Sequence, residues 1–420
     1  MKYLTKIFML ILLSAEILFA QKLLIPMDLS QTDHLKSYGV AYSALSQEIN
    51  VEWLLNFRGG SFLLDANNNI IRECRIKGVK YEIKSLQEAA AIYSEIKKSN
   101  MEVVLLEKAP KIAVYTPPNK QPWDDAVTLV LTYAEIPYKT LWDKEVLQGA
   151  LSSYDWLHLH HEDFTGQYGK FYATYHNAVW YKKQQLLYEQ IAHRLGFKKV
   201  SKLKLAVALA IKDYVARGGF LFAMCSATDS YDIALAARNT DICESVFDGD
   251  PVDPAWKSKL DFSQCLAFKN FTLYTDPSVY EFSDIDTSPS GRISPLSGRD
   301  NYFTLFEFSA KFDPVPTMLT QDHVSVIHNF MGQTTGFHAD KIKNSVVIMA
   351  RREDTDEVKY IHGNLGRGSF TFLGGHDPED YEHYVGDPPT DLDLHRNSPG
   401  YRLILNNILF PAAKKKKQKT

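Results

Sequence analysis

The sequence predicts an α/β fold: a mostly parallel, doubly wound sheet preceded by an extra N-terminal α/β unit. Three observations predict it. Short apolar runs alternate with segments of helical spacing along most of the chain, the pattern of a parallel sheet covered on both faces. The chain of 420 residues, 45% hydrophobic, is long enough for a large core and for two domains. Two strand-like runs, FLFAMC and SFTFLGG, bring a reactive side chain to a strand end beside small residues: Cys225 before Ser226-Ala227, and His376 after Gly374-Gly375.

Residues 1–20 read as a signal peptide. Lys2 and Lys6 form a basic start, Ile7 to Ala15 is apolar, and Ala20-Gln21 is a cleavage point. The run is short for a spanning helix and Glu16 interrupts it; no later stretch is long and apolar enough to span. Export is therefore expected, to the periplasm or beyond the cell. Four cysteines in an exported chain allow disulfides, and Cys243 with Cys265 is the easiest pair to imagine, leaving Cys74 free. A net charge of −3 gives no electrostatic footprint for nucleic acid.

Residues 21–108 read as the N-terminal unit. KLLIPMD, VEWLLNF and MEVVLLE are strands, and Asp33–Gln47 and Ser85–Lys98 are helices. FRGGSF is a turn. Residues 109–412 read as the main domain. KIAVYTP, YKTLWD, DWLHLHH and GFLFAMC are strands. Helices follow Pro122, cover EVLQGALSS, and run from about Lys182 to Arg217 with a break near Gly196. Residues 244–345 are rich in Asp, Ser and Pro and read as an irregular insert of loops and short antiparallel strands. SVVIMAR, KYIHGNL and SFTFLGG are late strands, and SPGYRLILNNILF is a closing helix. Residues 413–420 form a basic, solvated tail.

Ligands in open parallel sheets sit beyond the carboxyl ends of strands, so strand-end residues are the candidates. Cys225 ends an apolar strand and is followed by Ser226, Ala227, Thr228 and Asp229. That is the layout of a nucleophile elbow, with a helix N-terminus to stabilise an oxyanion. His376 ends a later strand after Gly374-Gly375 and is followed by Asp377, Pro378 and Glu379. A Cys225–His376 pair with Asp377 or Glu379 as the orienting acid has the composition of a catalytic triad. In DWLHLHHEDF, His158 and His160 fall on one face of a strand and are candidate metal ligands. His160, His161, Glu162 and Asp163 are candidates to line a substrate pocket, with Ser226, Thr228 and Asp229 opposite. No cofactor is expected. The partner expected is a small-molecule substrate, with carbohydrates among the candidate classes.

The two strand-end motifs, in this order, resemble the class I glutamine amidotransferase-like fold. GGFLFAMCSATDS with FDGDP, and GRGSFTFLGGHDPEDY with GYRLILNNILF, look most like its trehalose-utilisation (ThuA-like) branch, over roughly residues 110–412. The resemblance implies a flavodoxin-like sheet and a hydrolase or amidotransferase-like activity on a small amide or carbohydrate derivative. Two departures matter. The trehalose-utilisation family usually carries His where this chain has Cys225. Amidotransferases place their Cys in a G-x-C-x-G turn and follow it with His-Pro-Glu, where this chain has His376-Asp377-Pro378-Glu379. A non-catalytic carbohydrate-binding protein and a metal-dependent enzyme at His158–Asp163 are the alternatives. The chain also resembles exported bacterial proteins labelled asparagine synthetase B. It lacks both the N-terminal nucleophilic Cys and the Ser-Gly-Gly-x-Asp-Ser loop of that enzyme, so that activity is not expected.

Overall fold

The computed structural model describes residues 21–287, 302–315, 325–328, 330–380 and 385–413. The expected signal peptide, parts of the insert and nearly all of the basic tail lie outside the described residues.

The N-terminal unit contains β1 (Lys22–Ile25), α1 (His34–Ser46), β2 (Val51–Leu55), β3 (Ser61–Asp65), α2 (Asn68–Lys77), β4 (Glu82–Lys84), α3 (Leu86–Lys98) and β5 (Glu102–Leu106). Its five strands pair in the order β4-β1-β3-β2-β5, antiparallel at every junction. The turn read from FRGGSF joins β2 to β3: Arg58, Gly59 and Gly60 all have positive φ (46°, 78° and 84°), which closes the hairpin. Local chemistry starts the helices. Asp33 caps α1 by accepting from Lys36 N–H (2.8 Å), and Ser85 with Glu88 forms a capping box on α3.

The main sheet is built from β6 (Ile112–Tyr115), β7 (Lys139–Leu141), β8 (Trp156–Leu159), β9 (Phe220–Met224), β10 (Tyr302–Leu305), β11 (Val326–His328), β12 (Phe337–His338), β13 (Val347–Arg351), β14 (Glu357–Leu365) and β15 (Gly368–Leu373). The longer helices around it are α4 (Ala126–Tyr133), α5 (Asp143–Leu147), α6 (Val179–Arg194), α7 (Val200–Ala216), α8 (Ala227–Ala236) and α9 (Pro399–Leu409). The order is β11-β10-β13-β14-β15-β9-β8-β6-β7, with β12 paired to β14. From β15 to β7 the strands are parallel; β14, β13, β10 and β11 continue the sheet antiparallel. The fold is thus α/β, with a mixed sheet whose parallel half carries the strand ends of interest.

Alternation along β9 sends its side chains into two cores. Phe222 and Met224 join α1, α4 and α9 on one face, and Leu221 and Ala223 join α6, α7 and α8 on the other. The first core runs continuously into the N-terminal unit, and α9 is the seam. Arg402 on α9 is fully buried, and its guanidinium donates to Met27 O, Gly59 O and Tyr38 Oη. No helix among the described residues is long and apolar enough to cross a membrane.

The disulfide expectation is corrected. All four cysteines are free and buried. Cys243 Sγ donates to Thr165 O (3.2 Å) and Cys265 Sγ to Asp232 O (3.4 Å), so each thiol is used by its own backbone neighbour.

Candidate functional site

The parallel strands β8, β9 and β15 are neighbours, and their carboxyl ends deliver His160-His161, Cys225 and His376 to one place. Cys225 adopts φ +50°, a left-handed conformation costly for a side chain with a Cβ and expected at a sharp strand-to-helix elbow. Its N–H donates to Gly375 O (3.1 Å), and the next helix is tied back by Ala227 N–H to His160 O (3.1 Å). Beside it, Gly332 (φ +146°) leaves a necessary gap: a Cβ there would lie 3.2 Å from Cys225 Sγ and 2.9 Å from His376 Cβ. Cys225 and His376 therefore flank the same glycine.

The thiol is 2% exposed. Burial pushes it up to about 11, against the backbone N–H groups of Thr334, Gln333 and Ser226 that point at the sulfur and favour the thiolate. At pH 8 roughly one sulfur in a thousand would be ionised. Iodoacetamide at pH 8 is therefore expected to leave Cys225 unmodified in the native protein and to label it in guanidinium, as read by peptide mass spectrometry. Stoichiometric native labelling at pH 7 would show a poised thiolate instead.

The acids of the second motif face elsewhere in part. Asp377 accepts from Tyr401 Oη (2.6 Å), Thr390 Oγ1 (3.1 Å) and the N–H groups of Glu379 (2.8 Å) and Asp380 (3.2 Å), fastening the strand-end turn to α9. Glu379 Oε2 lies 3.2 Å from His395 Nδ1.

The imidazoles form the denser constellation. The His376 ring stacks on His160 (4.0 Å between centroids) and faces His161 (5.3 Å). His158 and His160 point to the same face of β8, as read from sequence, and there they meet Asp125. His158 Nε2 and His160 Nδ1 lie 3.5 and 3.4 Å from Asp125 Oδ1. Burial pushes the Asp125 carboxyl up, but the two imidazoles outweigh it and hold the group well below its ordinary value. Asp125 also caps α4, accepting from Val127 and Thr128 N–H at 2.8 and 2.9 Å.

A small, partly open cleft lies beside this cluster, lined among others by Gln121, Trp123, Phe171, Gln184, His161 and Glu162. Trp123 Nε1–H points at His161 Nε2. Glu162 is buried, accepts from His160 N–H (2.8 Å), and is pushed up to about 8 by burial. Asp163 also borders the pocket. Its carboxylate holds the loop that shapes one wall, through Thr165 N–H (2.6 Å) and Gly169 N–H (3.1 Å). Ser226, Thr228 and Asp229, expected to line the substrate pocket, are instead fully buried at the start of α8 and are not among the residues lining it. Thr228 Oγ1 donates to Cys225 O (2.6 Å). Asp229 accepts from Ser230 N–H (2.9 Å), and burial pushes it up to about 7.

Sequence reasoning missed Asp125, Trp123 and Lys204. Asp125 was legible only as an acid at a helix start. Lys204 lines the pocket from α7; its Nζ lies 2.8 Å from Asp143 Oδ1 and 3.7 Å from the Trp142 ring centre.

No family model matches the chain, and no curated protein matches it. Among solved structures, a cytoplasmic protein from Salmonella typhimurium is similar at 10% identity and a TM-score of 0.35, over 73% of this chain and 100% of its own. A second, from Salmonella typhimurium LT2, is similar at 10% identity and a TM-score of 0.36, over 72% and 100%. A beta-galactosidase from Bacillus circulans sp. alkalophilus is similar at 10% identity and a TM-score of 0.27, over 66% of this chain and 30% of its own. At these scores the likeness decides neither the fold family nor an activity.

Proposed function

We propose that this chain is an exported enzyme of glutamine amidotransferase-like fold, nearest the trehalose-utilisation branch, acting on a small polar substrate such as a carbohydrate derivative or an amide. The observation that carries the reading is the meeting of three neighbouring strand ends, which brings Cys225, His376 and His160 together, next to a cleft whose border holds the His161 imidazole and the Glu162 and Asp163 carboxyl groups. Support for the fold comes from the parallel strands: taken across the sheet they run second, first, third, fourth, fifth in chain order, the flavodoxin-like arrangement. Export rests on residues 1–20.

His161, Glu162 and Asp163 stand at the pocket border together with Lys204, and acid–base work falls to the imidazole and the two carboxyl groups, with the His160 and His376 rings stacked on each other nearby. The faces of Trp123 and Phe171 suit the C–H faces of a sugar ring, and Gln121 and Gln184 suit its hydroxyls. A second reading, thiol catalysis by Cys225 with His376, is favoured by the strained elbow at φ +50° and by the shared Gly332.

Trehalose and N-acetylglucosamine serve as probes. Either is expected to raise the thermal midpoint of the purified protein, and Trp123→Ala is expected to weaken that binding about tenfold or more while keeping the circular dichroism spectrum. Equal binding by wild type and Trp123→Ala would remove the pocket as the sugar site.

A further inference from the structure

We propose that Asp125, His158 and His160 form a binding site for a single divalent transition metal of the zinc class, two imidazoles and one carboxylate at the inner edge of the strand-end cluster. The proposal concerns metal binding and does not depend on which substrate the pocket takes.

The tautomer of His158 comes first. Its ring is fully buried, and Nδ1 lies 3.2 Å from Phe222 O. A carbonyl only accepts, so Nδ1 carries the proton. Nε2 then faces Asp125 Oδ1 at 3.5 Å. A cation belongs between such a nitrogen and a carboxylate, either a second proton on the imidazole or a metal ion, and the spacing separates the two. A backbone carbonyl on the far nitrogen is also the usual outer support of a metal-bound histidine.

The spacing comes second. Charge-assisted hydrogen bonds from imidazolium to carboxylate are about 2.7–2.9 Å. The observed 3.5 and 3.4 Å are longer. They match the edge of a tetrahedron with metal–ligand bonds near 2.0–2.1 Å, which is about 3.3–3.4 Å. All three donor atoms lie within 4.8 Å of one another.

The placement comes third. His158 and His160 are two apart on one strand face, and Asp125 is fixed by its capping bonds to Val127 and Thr128. The donors are thus held by a strand (His158), the residue just past its end (His160) and a helix start (Asp125). Nitrogen and oxygen donors suit zinc, iron or cobalt over calcium and magnesium. A second acid-rich cluster, Asp241, Cys243 and Asp248, lacks this character: Lys199 Nζ already neutralises Asp241 (2.8 Å) and Asp248 (3.1 Å).

The test uses full-length, untagged protein stripped with chelator and dialysed against Zn²⁺ or Co²⁺. Elemental analysis is expected to find about one equivalent, Zn²⁺ to raise the thermal midpoint, and Co²⁺ to give visible absorption of a nitrogen–oxygen site. His158→Ala and Asp125→Asn are each expected to weaken binding about 100-fold or more; the asparagine retains an oxygen to cap α4, so loss of binding there is separable from loss of fold. Protein that stays metal-free with an unmoved midpoint would overturn the proposal and assign the gap to a proton on His158. Uptake that is the same in wild type and both variants would overturn it as well.

Discussion

Replacing Arg402 with alanine is expected to destabilise the protein by about 3–5 kcal/mol, read as a fall in the urea midpoint with an unchanged slope. Arg402 is fully buried on α9. It donates to Met27 O (3.2 Å), Gly59 O and Tyr38 Oη (3.1 Å). Tyr38 in turn donates to Asn406 Oδ1 (2.5 Å), one turn further along the same helix. The guanidinium therefore joins α9 to the ends of the N-terminal strands, where Gly59 turns the β2–β3 hairpin. Alanine would remove these bonds and leave Gly59 O without the donor now aimed at it. Lysine is expected to recover only part of the loss, because a point ammonium cannot span the donor directions of a planar fork. A loss below about 1 kcal/mol for Arg402→Ala would mean that the two units hold together by apolar packing alone.

A loss of similar size, about 3–5 kcal/mol, is expected for Asp143→Ala. Asp143 and Lys204 are each 1% exposed. Lys204 Nζ donates to both Asp143 oxygens (2.8 and 3.1 Å) and to Tyr115 Oη (2.8 Å), with Trp142 against it. Burial lowers the lysine and the Asp143 charge opposes that. Without the carboxylate, the ammonium must either lose its proton or stay charged in a poorly solvated place. The double variant Asp143→Leu with Lys204→Met is expected to lose less than Asp143→Ala alone, since the orphaned charge goes with it. Urea unfolding of both variants at pH 7 checks this; equal losses would mean that packing volume, not charge, sets the cost.

Much of the main domain was legible because its signals are local. FLFAM and SFTFL are apolar runs bounded by glycine, and the alternation of His158 and His160 follows from strand geometry alone. In the N-terminal unit the signals are weaker. SFLLD directly follows two glycines and reads as the end of a turn, yet it is β3. Helix α2 was missed because it buries only Ile70 and Cys74, too few for a clear apolar stripe. The antiparallel order of that sheet depends on which strand ends meet, which spacing does not encode.

The candidate site divides the same way. Strand-end residues could be nominated from a rule about parallel sheets. Asp125 and Trp123 come from the loop before α4, and Lys204 from the middle of α7, where it reads as one more helix-surface lysine. Only tertiary contact turns these into neighbours of His158, His161 and Asp143. The converse holds for Cys225: its sequence context suggests a nucleophile, while the folded chain buries it, raises its thiol pKa and leaves it out of the pocket lining.

The central claim is that chemistry occurs at the imidazole–carboxyl border of the pocket rather than at the thiol. The most direct measurement is turnover of 4-nitrophenyl glycosides and of glutamine by wild type, His161→Ala and Cys225→Ala side by side. The expected result is turnover of at least one probe by the wild type, a loss of about 100-fold or more in kcat/KM for His161→Ala, and retention within about threefold for Cys225→Ala. Turnover abolished by Cys225→Ala and kept by His161→Ala would contradict it.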